Sequence, residues 1–412
     1  MKPYHIILLI ILMGFGLNQR TTAQINISGL ADFEIRMAGH DSSPYLNQTP
    51  GSGLSFFTPT IRLFFSANLS EQWFVNGSLQ ADHYEGKKLS SPFFSVMNIN
   101  WTPNFDSKFL VTAGRFVTPY GSYSTRFLSN VNPFVHLPLS HAGGLPVSNR
   151  FGHLQYTMND PSSIKNLYGG DEKGINMVYQ RMYTQGIKVS HSFGESSWLS
   201  LDVAATNAPV SSQLDFNEHQ NPSWIGRAVF KPVIWAELGF SYSKGAFLLE
   251  DEANDTLRIY SDSGYPNTTI GSDLKFNYRY YTLLIEWNQS FFKAPFYDPT
   301  TSTAATSRTG KATIDHFSGE FIYDFPFAVG GYAGIRYEQM TEGEIEIYRR
   351  DANNDKVDQS FTPWVFNRER FEFVAGYKLQ RNVILKISYL LSSDDGAKLD
   401  DNVFAVQLSA LF

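Results

Sequence analysis

The sequence predicts an all-β protein: a single transmembrane antiparallel β-barrel of sixteen strands, with fourteen or eighteen also allowed. Three observations lead there. Long stretches alternate strictly between apolar and polar residues, the connections are short and long by turns, and the run "FAVQLSALF" ends the chain on an aromatic residue.

The chain begins "MKPYHIILLIILMGFGLNQRTTAQ", with Lys2, an apolar run from Ile6 to Leu17 and a polar stretch closing on Ala23. A charged start, a short apolar core and a small-residue end are the layout of a secretory signal peptide. The run is shorter than the roughly 20 residues that a spanning helix needs. Residues 1–24 are therefore expected to be a signal peptide, cut near Ala23 or Gln24. Its loss removes Lys2 and Arg20 and no acid, so the formal net charge moves from −6 to −8. An acidic chain is a poor match for nucleic acid, which wants a basic face. With 0 cysteines there is no disulfide framework. No other apolar run is long enough for a helix, so strands must carry any membrane crossing.

From residue 25 onward the main signal has a period of two. In "INISGLADFEIRM" one face collects Ile25, Ile27, Gly29, Ala31, Phe33, Ile35 and Met37, and the other ends in Asp32, Glu34 and Arg36. "PTIRLFFSANL" sets Ile61, Leu63, Phe65, Ala67 and Leu69 against Arg62, Ser66 and Asn68. "WFVNGSLQADHY" sets Trp73, Val75, Gly77 and Leu79 against Asn76, Ser78, Gln80 and Asp82. "WLSLDVAATN", "IWAELGFSYS", "FSGEFIYDF", "AGIRYEQM", "RFEFVAGYKL" and "VILKISYLL" repeat the pattern. These are strands with one apolar and one polar face. A soluble sandwich also alternates, but it could not bury a charged face without partners. Aromatics at strand ends (Trp73, Phe93, Trp101, Phe109, Trp198, Trp224, Trp287, Phe325 and Phe327) fit the two girdles of a membrane barrel. Charged residues make up only 17% of the chain and aromatics 15%, where a soluble domain carries about 25% charged.

Short connections are expected at 70–72, 104–107, 194–197, 231–233, 324–327 and 379–382. Long ones are expected at 38–53, 86–92, 119–183, 208–222, 246–271, 294–309, 341–363 and 393–401. Short turns at one rim and long loops at the other are the habit of bacterial outer-membrane barrels, and they require an even strand number. "DLKFNYRYYTLLIEWNQSFF" is too long for one strand and shows no clear turn, which leaves the count of sixteen open by two either way. A closed barrel pairs its last strand with its first, so a chain can stop on Phe412 without a free edge.

"FAVQLSALF" also resembles the C-terminal signature of outer-membrane barrels, which implies recognition by the barrel-assembly machinery and a place in the bacterial outer membrane. "VTAGRFVTPYGSYSTRFL" (111–128) resembles the fifth-strand motif of the phosphate-selective porin O and P family, through Gly114, Arg115, Phe116, Thr118, Pro119, Tyr120 and Gly121. "GIKVSHSFGESSWLSLDVAATNAPV", with Asn207, and "WIGRAVFKPVIWAELGFSYSKG", with Gly226, Arg227, Pro232, Gly239 and Gly245, resemble the family's next two hairpins. The likeness covers about 110–245. It implies a sixteen-stranded barrel, outer-membrane lipid as surroundings and, by analogy with porins, a homotrimer. Pro119 cannot donate to a ladder and should end the strand. In porin-like barrels a loop as long as 119–183 folds into the lumen, and that is expected here, with Arg126, His136, His141 and Arg150 at the constriction.

The phosphate specificity of that family would need a basic lumen. Strand parity instead gives a balanced one. The inward cations are Arg36, Arg62, Lys188, Arg227, Arg279, Arg336, Arg368, Arg370, Lys378 and Lys386. The inward acids are Asp32, Glu34, Asp82, Asp202, Glu237, Glu286, Glu320, Asp324, Glu338 and Glu372. The expected function is a porin: passive diffusion of small hydrophilic solutes or ions, without cofactor and without chemistry. The alternative is a barrel component of a cell-surface or secretion complex with a plugged lumen. An outer-membrane hydrolase would need His136 or His141 beside Ser140 and a third orienting group, which the sequence does not supply. Asp351, Asn353, Asp355 and Asp358 have the front spacing of a structural calcium loop, but Lys356 stands where Gly is wanted.

Overall fold

The computed structural model describes residues 25–42, 47, 49, 52–83, 89–104, 106–142, 145, 175–212, 221–247, 265–295, 308–342, 344–350, 356–363, 367–395 and 398–412. The expected signal peptide, Arg150, and Asp351, Asn353 and Asp355 of the calcium spacing lie outside these residues.

The strands are β1 (Ile25–Ala38), β2 (Gly53–Phe57), β3 (Thr60–Asn68), β4 (Trp73–Asp82), β5 (Phe93–Trp101), β6 (Phe109–Val117), β7 (Tyr183–Phe193), β8 (Leu199–Thr206), β9 (Ser223–Val233) and β10 (Ala236–Ala246). They continue with β11 (Pro266–Tyr278), β12 (Tyr281–Pro295), β13 (Arg308–Asp324), β14 (Gly331–Glu342), β15 (Glu344–Arg350), β16 (Lys356–Pro363), β17 (Arg368–Gln380), β18 (Val383–Asp394) and β19 (Val403–Leu411). Antiparallel pairing runs from β1 to β3 and on in chain order to β14, then β17, β18 and β19. Closure comes from β19 against β1, with Leu30 opposite Leu411 and Ala38 opposite Val403. Among the described residues sixteen strands thus form one closed antiparallel ring, the predicted class and count.

Three strands lie outside that simple ring. β2 continues the line of β3 across Thr58 and Pro59 and pairs with the upper part of β1. Proline removes a ladder donor, so the break falls where the sequence puts one. β15 and β16 form a hairpin that extends β13 at the long-loop end, inside a span read from sequence as a loop. The ambiguous stretch splits at Arg279 and Tyr280, a two-residue turn between β11 and β12. Arg279 takes φ +53 there, a left-handed conformation rare for a side-chain-bearing residue, so no Gly or Pro announced it.

The two faces separate by chemistry. Outward positions are exposed and apolar, such as Phe33 (46%), Ile187 (56%), Val203 (53%) and Phe240 (53%). Ring contacts link the lower girdle around the wall: Trp73–Trp101, Trp101–Phe109, Trp198–Phe230, Trp235–Phe276 and Tyr281–Tyr323. Phe93 is an exception to the expected girdle. A register shift between Ser78 and Leu79 moves it opposite Gln80, and the Arg181 guanidinium lies 4.8 Å from its ring. A bulge of this kind flips parity for the rest of a strand. Lipid cannot hydrogen-bond backbone, so a closed wall with this apolar belt is a membrane-spanning structure, and it belongs in the bacterial outer membrane.

Candidate functional site

The site is built by the segment between β6 and β7. Thr118 still bonds across to Met182, N–H to carbonyl, at 3.0 Å, and then Pro119 ends the ladder. The Tyr120 hydroxyl donates to Asn288 on β12 at 3.1 Å. Gly121 has φ +63, and a Cβ there would stand 3.2 Å from the Glu286 carboxylate. Glycine takes this left-handed turn without strain and leaves the carboxylate its room. The Ser122 N–H then donates to Glu286 at 2.9 Å and its hydroxyl at 2.7 Å. The Thr-Pro-Tyr-Gly motif therefore turns the chain from the top of the wall onto its inner face.

From there the segment follows the inner wall, and wall acids hold it. Arg126 bonds Glu320 on β13 at 2.7 Å, and the Ser129 hydroxyl donates to Asp32 on β1 at 2.6 Å. The N–H groups of Val135 and His136 both donate to Glu372 on β17, each at 3.1 Å, and His136 Nδ1 lies 3.0 Å from the same oxygen. The Leu139 N–H donates to Glu338 on β14 at 2.7 Å. Arg336 on β14 sits beneath these contacts, 2.5 Å from Glu372 and 3.2 Å from Glu338, and donates to the His136 carbonyl at 2.9 Å. Lys386 on β18 reaches the Ser129 carbonyl at 2.5 Å.

The upper part of the segment adds an apolar core inside the barrel. Tyr123, Leu137, Leu139 and Leu145 pack with Met177, Val178 and Met182, and against Val210, Phe247, Phe292 and Met340. Lower down, Phe134 packs with Leu284, Ile322, Tyr332 and Val374. These inward-facing apolar residues break the alternating rule, and no sequence signal marked them. Each lies where the segment covers the wall.

Among the described residues, one space beside the segment lies along β1 and β3. Asp32, Glu34, Arg36, Thr60, Arg62 and Gln407 face Tyr123, Phe127, Ser129 and Asn132, with Arg181 and Gln180 above. They line a small, partly open cleft of mixed polar and apolar surface. The guanidinium of Arg62 lies 5.0 Å from the Phe127 ring, and that of Arg36 lies 5.1 Å from Phe57. Arg36 also pairs with Glu34 at 2.6 Å, and Arg181 with Asp82 at 2.9 Å.

Of the residues read as pore-lining, Arg36, Arg62 and Asp82 border this cleft or pair with a residue that does. Lys188 and Asp202 are half-buried on the inner faces of β7 and β8. Glu237 pairs with Lys231 at the short-turn end, 3.2 Å apart. Arg227 pairs with Asp273 at 2.6 Å. Glu286, Glu320 and Arg336 are sealed under the segment, Arg370 is buried in the same wall, and Arg368 is tied to Asp401 at 3.0 Å. Arg279 needs correction: it is an exposed turn residue, because the turn falls there and not beyond it. Asp273 and His316 were missed. Asp273 lies in the stretch with no readable alternation, and His316 shares its face with the inward acids.

Arg126, His136 and His141 all belong to the inner segment. Ser140 Oγ and His141 Nδ1 are 2.9 Å apart, but both residues are sealed from solvent, and among the described residues no carboxylate hydrogen-bonds His141 Nε2 to complete a triad. Asp358 is exposed on β16, and among the described residues no group of three metal-capable side chains converges.

The buried imidazoles make seating of the segment pH-dependent. Burial pushes His141 down to about 3, against the pull of Glu286 and Glu338, with His316 and Arg126 also facing it. Burial lowers His136 too, although Glu372 acts the other way. A histidine depressed when seated stabilises seating above its free value near 6.5 and loses that stabilisation as pH falls toward 3. Channel recordings between pH 6 and 3 should show increasing fluctuation as the segment loosens, and His141→Asn should flatten that response.

No family model and no curated protein sequence matches the chain. Solved structures do match. The anion-selective porin from Comamonas acidovorans aligns at 9% identity with TM-score 0.53, over 95% of this chain and 100% of that one.

The fold is the porin fold.

The outer membrane channel DcaP of Acinetobacter baumannii aligns at 10% identity with TM-score 0.53, over 96% of this chain and 99% of its own. Salmonella typhi OmpF aligns at 11% identity with TM-score 0.52, over 95% and 98%. At these identities the likeness is one of porin architecture. The resemblance of residues 111–128 to the phosphate-selective porin O and P family has no family model behind it.

Proposed function

We propose that this porin-fold barrel is a passive diffusion channel for small hydrophilic solutes or ions, with the segment 119–183 setting the width of the path. One observation carries the reading: the cleft between that segment and β1–β3, lined by Asp32, Glu34, Arg36, Arg62 and Arg181. A lining of opposed charges suits water and small polar solutes, and wide polar barrel interiors are normally channels. Glu286, Glu320, Glu338, Glu372 and Arg336 serve to hold the segment, which leaves the charges along β1 and β3 to act on a passing solute. The porin fold, shared with a trimer form of OmpT from Vibrio cholerae, supports a homotrimer as the working assembly.

Refolded protein in a planar bilayer should give stable conductance steps, smaller than those of a sixteen-stranded barrel whose lumen is clear. A salt gradient should give a reversal potential near zero. Absence of steps from folded protein would overturn the channel. That result would favour the second reading, a closed barrel serving a surface or secretion complex, which the apolar core inside the wall supports.

A further inference from the structure

The hairpin tips at the short-turn end differ around the ring. Those at 70–72, 194–197 and 381–382 read Ser-Glu-Gln, Gly-Glu-Ser-Ser and Arg-Asn. The tips of β9–β10 and β13–β14 are apolar and outstanding in exposure: Ile234 at 101%, Phe327 at 80% and Val329 at 88%. Between them lies the β11–β12 turn, where the Arg279 guanidinium rides 5.4 Å from the Tyr278 ring.

Height decides what meets these tips. The apolar band of an outer-membrane barrel is about 25 Å tall. A strand tilted about 40° climbs roughly 2.5 Å per residue, so the band takes about 10 residues. On these hairpins outward polar groups mark its top. Lys244 of β10 stands beside exposed Trp224 of β9, Gln289 of β12 bonds Asp315 of β13 at 2.9 Å, and Gln339 follows on β14. Counting down from Lys244 along the outward face reaches Ile234 after Tyr242, Phe240, Leu238 and Ala236. The same count from Asp315 reaches Phe325, on which Phe327 stacks, and from Gln339 it reaches Val329.

The tips are also continuous with the lipid-facing girdle. Tyr281 stacks on Tyr323 at 5.1 Å, Tyr323 meets Phe325 at 5.7 Å, and Phe325 stacks on Phe327 at 5.3 Å. Trp235 meets Phe276 at 5.0 Å.

We propose that the tips of the β9–β10 and β13–β14 hairpins are immersed in the lipid leaflet at the short-turn end, with Ile234, Phe327 and Val329 packed among acyl chains. Arg279 sits where a guanidinium snorkels to lipid headgroups. The barrel is then anchored more deeply on this side than at its polar tips.

The chain has 0 cysteines, so single labels are unambiguous. Ile234→Cys, Phe327→Cys, and the controls Glu71→Cys and Arg381→Cys would each carry a nitroxide in the full-length barrel. The vesicles would be phosphatidylethanolamine and phosphatidylglycerol, with folding checked by heat-modifiable gel mobility. Labels at 234 and 327 should collide with oxygen and be shielded several-fold from a water-soluble nickel chelate relative to 71 and 381. Equal access of the chelate to all four would overturn immersion and leave the apolar tips to a water-soluble protein partner. Because the readout is independent of conductance, it stands or falls separately from the channel reading.

Discussion

Replacing Glu372 with Ala should unseat the inner segment while leaving the barrel closed. This one carboxylate accepts from the N–H groups of Val135 and His136, from the Ser388 hydroxyl at 2.7 Å and from Arg336 at 2.5 Å, and it lies 3.0 Å from the His136 ring. Its removal orphans two buried backbone donors and takes the closest acid from Arg336, which is 0% exposed. Breaking a buried ion pair from one side costs about 3–5 kcal/mol. The cost falls on the seated state, because the strand ladder of β17 with β14 and β18 does not use this side chain. The expected result is a larger, noisier conductance and fast proteolysis within 119–183, with wild-type heat-modifiable mobility. Wild-type conductance and protection together would show that Glu372 does not hold the segment.

Gly114→Val should damage the barrel itself. Gly114 has φ +117, a region L-residues rarely adopt, and a Cβ would lie 2.4 Å from the Met97 carbonyl oxygen. The obstacle is backbone of the neighbouring strand and cannot swing aside. Across the ladder stands Gly186, a second close backbone approach, where a Cβ would meet the Ala205 carbonyl at 2.0 Å. Backbone strain of about 1–3 kcal/mol and overpacking of about 1–3 kcal/mol together predict a loss of several kcal/mol. Most of the variant chain should fail to reach the compact band on unboiled gels. Gly53→Ala is the control: it also has positive φ, at +85, but nothing lies within 4 Å of its Cβ, so it should fold.

The sequence alone determined the barrel. A period of two is a property of single strands, and a charged inner face beside an apolar outer one has a stable solution only when the wall closes in lipid. Closure follows from the same physics, and the Phe412 backbone pairs with Gly29 in both directions, at 2.6 and 2.8 Å. The turning motif at 118–121 was legible too, because proline and glycine act through local backbone geometry.

Tertiary structure decided the rest. Parity says that Glu286, Glu338 and Glu372 point inward, but not whether they meet water or a folded-back chain. That depends on contacts such as Leu139 with Glu338, 199 residues apart, which no local pattern encodes. The same long-range packing turned inward Phe292 and Met340 into core and left a polar cleft along β1 and β3. Arg279 shows the converse: a turn made by a left-handed arginine carries no turn residue to read, so only the strand pairing around it located the turn.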